Sequence, residues 1–216
     1  MRNPNEAGAI AADSTAAKRY RGTCFLSSAN ALAQLPPATG REVAFAGRSN
    51  AGKSSALNLL TGQRGLARTS KTPGRTQLLN IFRVRADRYL VDLPGYGYAR
   101  VPEAMRQHWK TLVGRYLSER GALRGLMLVM DARHPLTDLD LQLLAACAAR
   151  DLPVHILLTK ADKLSRGKAA AVLRSVRGKL VADFPAASAQ LFSALSGAGA
   201  AEAHSRLDEW LEDREG

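Results

Sequence analysis

The chain has 216 residues, of which 46% are hydrophobic, and its 31 Lys and Arg outnumber its 19 Asp and Glu to give a formal net charge of +12. This hydrophobic content excludes a disordered chain, and no apolar run is long enough for a membrane-spanning helix. Two distant cysteines and four scattered histidines argue against disulfides and zinc. These features predict a cytoplasmic protein whose positive charge favours a polyanionic partner such as RNA.

The organisation along the chain predicts a tail followed by one domain. Residues 1–20 lack the apolar stretch of a signal peptide and are expected to be a disordered tail, so the folded domain spans 21–216. Strands are predicted at 42–46, 78–85, 88–92, 125–131, 153–158 and 189–193. Helices are predicted at 53–61, 102–119, 137–149, 163–182 and 199–213. This alternation is typical of an α/β fold with a mostly parallel central sheet and helices on both faces, which binds ligands at the carboxyl ends of its strands.

A complete GxxxxGKS phosphate loop, GRSNAGKS, occupies residues 47–54 between a predicted strand and a predicted helix. In such a loop the backbone N–H groups hold phosphate oxygens at the helix N-terminus. Lys53 is expected to reach the β- and γ-phosphates, and the Ser54 hydroxyl to ligate Mg²⁺. The predicted nucleotide-binding residues here are Gly47, Arg48, Ser49, Asn50, Ala51, Gly52, Lys53, Ser54 and Ser55.

A second motif, Asp92-Leu93-Pro94-Gly95, ends a predicted strand. The Asp92 carboxylate suits Mg²⁺, and the Gly95 N–H is placed to contact a γ-phosphate, so this segment is expected to sense whether that phosphate is present. The pattern is common on its own, but its position after a phosphate loop and at the end of a strand supports its assignment to a nucleotide site.

A third motif, Thr159-Lys160-Ala161-Asp162, follows a predicted strand and points to guanine. A carboxylate at Asp162 can accept the ring N–H and the exocyclic amine of guanine, a donor pair that adenine lacks. Lys160 is expected to lie over the base and brace the phosphate loop. Another strand is followed by Phe192, Ser193 and Ala194, whose backbone N–H groups are candidates to bind the guanine carbonyl.

The segment 68–76 has three threonines and a Pro-Gly turn, which is typical of a mobile switch loop. Thr76 lies next to the following strand and is predicted to close onto Mg²⁺ and the γ-phosphate, with Thr72 as the alternative. Gly74, Arg75, Gln77 and Leu78 complete the predicted nucleotide-binding set. The predicted catalytic residues are Lys53, Thr76 and Gly95, and the predicted metal ligands are Ser54, Thr76 and Asp92.

Four segments together resemble the EngB/YihA/YsxC family of small bacterial GTPases, within the TrmE–Era–EngA group: GRSNAGKSSALN at 47–58, ARTSKTPGRTQ at 67–77, VDLPGYGYA at 91–99 and TKAD at 159–162. The resemblance covers residues 23 to 213. It implies a Ras-like P-loop G domain that binds GTP and GDP with Mg²⁺. It also implies a role in the assembly of the large ribosomal subunit, with that subunit or its precursor as the partner, and a link to cell division and septation. We expect a monomer.

Two positions depart from the Ras-like pattern. Tyr96 follows Gly95 where Ras-like enzymes carry a water-orienting Gln, so hydrolysis without a partner is expected to be slow, about 10⁻⁴ to 10⁻² s⁻¹. Thr159 stands in place of the usual Asn, which weakens one contact to the base and leaves the Asp162 contacts intact. Asn50 matches the position at which related potassium-using GTPases carry Asn. Its side chain is expected either to ligate K⁺ or only to support the loop by hydrogen bonding.

Other functions fit some of the same residues. A phosphate loop also serves ATPases and small-molecule kinases, although the segments 92–95 and 159–162 argue against these. A GTP-regulated interaction protein of the division apparatus, not acting on ribosomes, is an alternative that the sequence does not separate from ribosome assembly. The positive charge has two interpretations as well, a surface that docks on phosphate backbone or solvated helix faces. Trp109 and Trp210 are expected to be core residues rather than base-stacking platforms.

Overall fold

The computed structural model describes residues 15–67, 78–97 and 103–212. Within these ranges the strands are β1 Cys24–Ala29, β2 Arg41–Gly47, β3 Leu79–Arg85, β4 Arg88–Asp92, β5 Leu123–Asp131, β6 Val154–Thr159 and β7 Ala187–Leu191. The α-helices are α1 Thr15–Tyr20, α2 Lys53–Leu60, α3 Glu103–Glu119, α4 Asp138–Ala148, α5 Arg166–Asp183 and α6 Ala200–Leu211. Short 3₁₀ turns lie at Leu32–Gln34 and Ala161–Lys163.

The strands form one sheet in the order β1-β3-β4-β2-β5-β6-β7. The ladders from β4 to β7 are parallel, whereas β1 pairs antiparallel with β3 and β3 antiparallel with β4. The predicted α/β fold with a mostly parallel sheet is therefore confirmed. The carboxyl ends of β4, β2, β5, β6 and β7 consequently meet at one edge of the sheet, where parallel sheets bind ligands.

Helices cover both faces of the sheet, as predicted. On one face the core includes Leu112 and Tyr116 of α3, Leu144 and Cys147 of α4, and Val176 of α5. On the other face, the buried side chains Leu57 and Leu60 of α2, Tyr20 at the end of α1, and Leu207 and Trp210 of α6 line a second core cluster. None of the helices in the described part of the chain is both long and apolar enough to cross a bilayer.

The predicted role of Trp210 as a core residue is confirmed, since its side chain is only 7% exposed. It packs over Gly125 so closely that a Cβ at this glycine would lie 2.4 Å from the indole. The side chain of Trp109 lies outside the described residues, so its prediction stays open.

The N-terminal prediction requires a correction for its last residues. The tail was predicted to run to residue 20, but Thr15–Tyr20 form α1, and residues 1–14 lie outside the described part. The Tyr20 side chain anchors this helix: it is buried, its hydroxyl donates to Asp208 over 2.7 Å, and its ring stacks on His204. Six residues are too few for a helix that is stable by itself, so α1 depends on these contacts with α6.

Two buried histidines predict a loss of stability in mild acid. His155 on β6 and His204 on α6 are each 1% exposed, and burial lowers the pKa of both below the ordinary value of 6.5. Below pH 6.5 the unfolded chain takes up these protons more readily than the folded chain. The free energy of unfolding therefore falls as the pH drops through this range, by at most about 1.4 kcal/mol per pH unit for each histidine.

Urea unfolding between pH 7.5 and 5.5 measures this effect. His204→Gln is expected to flatten the dependence of the unfolding free energy on pH. The same change at His134, which is exposed, provides the matched control for the substitution itself. A slope that His204→Gln does not reduce would contradict the assignment.

Candidate nucleotide-binding site

The structure brings the predicted motifs to one edge of the sheet. The phosphate loop joins β2 to α2, Asp92 is the last residue of β4, and Thr159 is the last residue of β6. Residues 192–194 directly follow β7. Since these strands run parallel, their carboxyl ends place all of these segments side by side.

The conformation of the phosphate loop depends on its glycines. A Cβ at Gly47 would lie 2.5 Å from the carbonyl oxygen of Val129, so only glycine fits beside β5. Gly52 precedes the first residue of α2 with φ 100°, and Asn50 also has a left-handed backbone with φ 63°. This backbone carries the chain into the N-terminus of α2, whose free N–H groups and positive dipole end suit a phosphate.

Lys53 and Asp92 form an ion pair in the structure, with side chains that are 11% and 12% exposed. The sequence assigned them separate tasks, the lysine to the phosphates and the carboxylate to Mg²⁺. Each of the two side chains neutralises the charge of the other in a mostly buried setting, where an unpaired charge is costly. The Ser54 hydroxyl follows Lys53 in α2, and together with Asp92 it provides the hard oxygen donors that Mg²⁺ prefers.

The segment predicted to bind the base is tied to the phosphate loop. The Thr159 hydroxyl contacts the carbonyl oxygens of Ala51 and Met130. The Lys160 ammonium donates to the carbonyl oxygen of Asn50 over 2.6 Å, so it braces the phosphate loop. The substitution of Thr for the usual Asn at position 159 therefore keeps a link between β6 and the loop.

Asp162 is held in place by the segment that follows β7. Its carboxylate accepts a hydrogen bond from the Ser193 hydroxyl over 2.6 Å, and the Lys163 ammonium lies 3.7 Å away. The Ala161 N–H donates to the carbonyl oxygen of Phe192. The two segments predicted to surround guanine thus contact each other directly.

Asp131, at the end of β5, is a site residue that the sequence analysis missed. Its carboxylate accepts hydrogen bonds from the Arg133 guanidinium and lies 3.0 Å from the Lys160 ammonium. The hydrogen bonds from Arg133, followed by those from Lys160, hold the pKa of this carboxyl well below its usual range. The Asp131 carboxylate therefore stays negatively charged, and its charge holds the Lys160 ammonium in place. A carboxylate that ends a buried parallel strand was the available signal.

The Tyr96 phenol is directed into the core. This side chain is 4% exposed and donates to Asp140 of α4 over 2.5 Å. Burial and then the Asp140 carboxylate raise the pKa of the phenol well above its ordinary value, so it stays protonated. The residue that stands where Ras-like enzymes carry Gln is thus committed to a structural hydrogen bond.

The predicted switch loop lies outside the described residues, and with it Thr72, Gly74, Arg75, Thr76 and Gln77. Their roles stay predictions. The described chain resumes at Leu78, which is partly buried next to β3. The predicted site residues Arg48 and Ser55 have exposed side chains, at the start of the phosphate loop and on α2 respectively.

Comparisons with known proteins agree with this geometry. A family described as "50S ribosome-binding GTPase" matches residues 42–160, more than half of the chain. A probable GTP-binding protein EngB of Thiobacillus denitrificans is 59% identical over 187 residues, which cover 87% of this chain and 90% of that protein. A protein of the same description from Nitrosococcus oceani is 55% identical over 192 residues, covering 89% and 96%.

Solved structures show the same fold. The crystal structure of a probable GTP-binding protein engB matches with a TM-score of 0.63 and 20% identity, and covers 79% of this chain and 98% of that one. Era in complex with MgGDPNP and nucleotides 1506–1542 of 16S ribosomal RNA matches with a TM-score of 0.61 and 21% identity, covering 82% and 58%.

The fold and the phosphate loop thus define a P-loop GTPase with a Ras-like G domain. Guanine-nucleotide binding and GTP hydrolysis are the activities of this class. The chain belongs to the EngB family of GTP-binding proteins.

Proposed function

We propose that this protein is a monomeric, Mg²⁺-dependent guanine-nucleotide switch that acts in the cytoplasm on the large ribosomal subunit or its precursor during assembly. Lys53 and the phosphate-loop N–H groups hold the phosphates, Asp162 selects guanine and Gly95 reads the γ-phosphate. Ser54, Asp92 and Thr76 are the proposed ligands or supports of Mg²⁺, which would neutralise charge on the β- and γ-phosphates. The family description as a ribosome-binding GTPase supports the choice of particle.

The observation that carries the proposal is the basic surface of α5, directly after the base-binding segment. Ser165 caps this helix only three residues beyond Asp162. Its exposed cations include Arg166, Lys168 and Arg174, and Asp183 in the last turn is the one acidic residue of α5. A helix with this charge suits a phosphate backbone. Because it adjoins the nucleotide site, a change at that site can reach the docking surface.

Sucrose-gradient fractionation of cell extract tests the proposal. In the presence of a non-hydrolysable GTP analogue the protein is expected to sediment with the large subunit, and with GDP it should stay near the top. Arg166→Glu/Arg174→Glu should abolish the sedimentation while GDP affinity stays normal. Arg206→Glu makes the same kind of charge change on α6 and serves as the control. Ribosome assembly as the function would be contradicted if the protein sedimented in the same way with either nucleotide, or if it were recovered with septal proteins instead of ribosomes.

We attribute the family's link to division and septation to the same activity, because growth and division depend on ribosome supply. Slow hydrolysis without a partner follows from Tyr96, whose phenol donates to Asp140 and leaves no water-orienting side chain at this position. The expected single-turnover rate is about 10⁻⁴ to 10⁻² s⁻¹.

Potassium is expected to accelerate this hydrolysis. Among the described residues the Asn50 side chain has no hydrogen-bond partner, and it is exposed on a left-handed backbone at the phosphate loop. A monovalent cation held there could stabilise charge that develops on the phosphates. Single-turnover rates in potassium should exceed those in sodium at matched ionic strength, and Asn50→Ala should remove the difference. Equal wild-type rates would refute potassium use.

A further inference from the structure

The residue that follows Gly95 is anchored by a side chain far away in the sequence. Tyr96 donates its phenolic hydrogen to Oδ1 of Asp140, 44 residues later, over 2.5 Å. Both residues are buried, at 4% and 1% exposure. A hydrogen bond to a carboxylate in such a setting is stronger than one between neutral groups, and its loss leaves a buried polar atom unpaired.

Asp140 is itself fixed by the start of α4. Its other oxygen, Oδ2, accepts from the Thr137 N–H over 2.8 Å and from the Thr137 hydroxyl over 2.7 Å. The bond from the Thr137 N–H is one half of the capping box of the helix, whose other half runs from the Asp140 N–H to the Thr137 side chain. One carboxylate oxygen thus serves the helix cap and the other serves Tyr96, so the two tasks can be separated by mutation.

The backbone around Tyr96 lies against the phosphate loop. The Tyr96 carbonyl accepts from the Ser49 N–H over 2.8 Å, and the Tyr96 N–H donates to the Gly47 carbonyl over 3.3 Å. Gly95 is equally close, since a Cβ there would lie 3.5 Å from the Ser49 nitrogen and 3.6 Å from the Gly47 oxygen. These hydrogen bonds fix the two peptides on either side of Tyr96, so Gly95, which adjoins them, is positioned through the residue that Asp140 holds.

We propose that Asp140 is a positioning residue for recognition of the γ-phosphate: through the Tyr96 phenol it holds the Gly95 N–H at the phosphate loop. The inference rests on the proposed role of Gly95. GDP has no γ-phosphate, so this anchor matters for the triphosphate and not for the diphosphate. A defect in the anchor should change the ratio of the two affinities, whereas a general loss of stability should not.

Equilibrium titrations with fluorescent GDP and a fluorescent non-hydrolysable GTP analogue, both with Mg²⁺, test the proposal. Tyr96→Phe removes only the hydroxyl. It is expected to lower the affinity for the GTP analogue by about tenfold, which corresponds to one hydrogen bond to a charged acceptor. The affinity for GDP should stay within about twofold. Asp140→Asn, which keeps the shape of the side chain, should shift the ratio in the same direction.

Thr137→Val provides the matched control, because it removes a hydrogen bond to the same carboxylate without touching Tyr96. It should lower the melting temperature and leave the affinity ratio at the wild-type value. The proposal is overturned if Tyr96→Phe and Asp140→Asn both keep the wild-type ratio, or if Thr137→Val changes it as much as they do. If the wild-type protein binds neither nucleotide, the proposed switch fails as well, and the two failures are distinguishable.

Discussion

Asp162→Asn is expected to shift the preference of the protein from guanine to xanthine nucleotides. The carboxylate accepts two hydrogens of guanine, whereas an amide can donate to the extra carbonyl of xanthine. Two charge-assisted hydrogen bonds are at stake, so the affinity for GDP should fall by at least about 100-fold. Competition of GDP and XDP for the same fluorescent probe measures the change.

The neighbourhood of Asp162 offers a matched control. The Lys163 ammonium lies 3.7 Å from the same carboxylate, but its side chain is 60% exposed. Water screens such a pair, so Lys163→Ala should leave the guanine preference within about twofold of wild type. An Asp162→Asn protein that still prefers GDP as strongly as wild type would refute the assignment of the base contact.

Lys53→Ala is expected to remove nucleotide binding and also to destabilise the fold. The lost ammonium leaves the Asp92 carboxylate, 12% exposed, without its partner. Breaking a buried pair from one side costs about 3–5 kcal/mol, which for a chain of this size lowers the melting temperature by about 10 °C. Calorimetric titration with GDP and Mg²⁺ and thermal unfolding measure the two effects.

A double variant separates binding from stability. Lys53→Ala/Asp92→Asn has no charge to leave unpaired, so it should recover most of the lost stability and still fail to bind GDP. Lys160→Ala removes a lysine from the more exposed pair with Asp131 and should lower the melting temperature much less. If the double variant is no more stable than Lys53→Ala, the ion pair is not the source of the loss.

The parts of the molecule with strong local signals were predictable from the sequence. The strands β2 and β6 are mostly apolar and buried along nearly their whole length, and each ends at a motif. The phosphate loop is encoded locally as well, because Gly47 and Gly52 are required by a close approach and a left-handed backbone. The positions of these segments on the sheet then follow from the parallel order of the strands.

What the sequence did not reveal depends on contacts between distant residues. Strand β1 was missed because Phe25 and Leu26 are exposed and its extended form is imposed by pairing with β3. The predicted helix from residue 163 begins instead at Arg166, since a 3₁₀ turn and the Ser165 cap intervene. The bond between Tyr96 and Asp140 joins two residues whose sequence neighbourhoods give no sign of each other.

The bridge from the end of β6 to the phosphate loop has a consequence for product dissociation. Thr159 and Lys160 contact the carbonyl oxygens of Ala51 and Asn50, so the cradle for the base and the cradle for the two inner phosphates form one preassembled clamp. GDP carries both the base and the two inner phosphates, so we expect it to keep its contacts with this clamp after the terminal phosphate has departed. We therefore expect the release of GDP, and with it the entry of fresh GTP, to require that the Lys160–Asn50 contact opens.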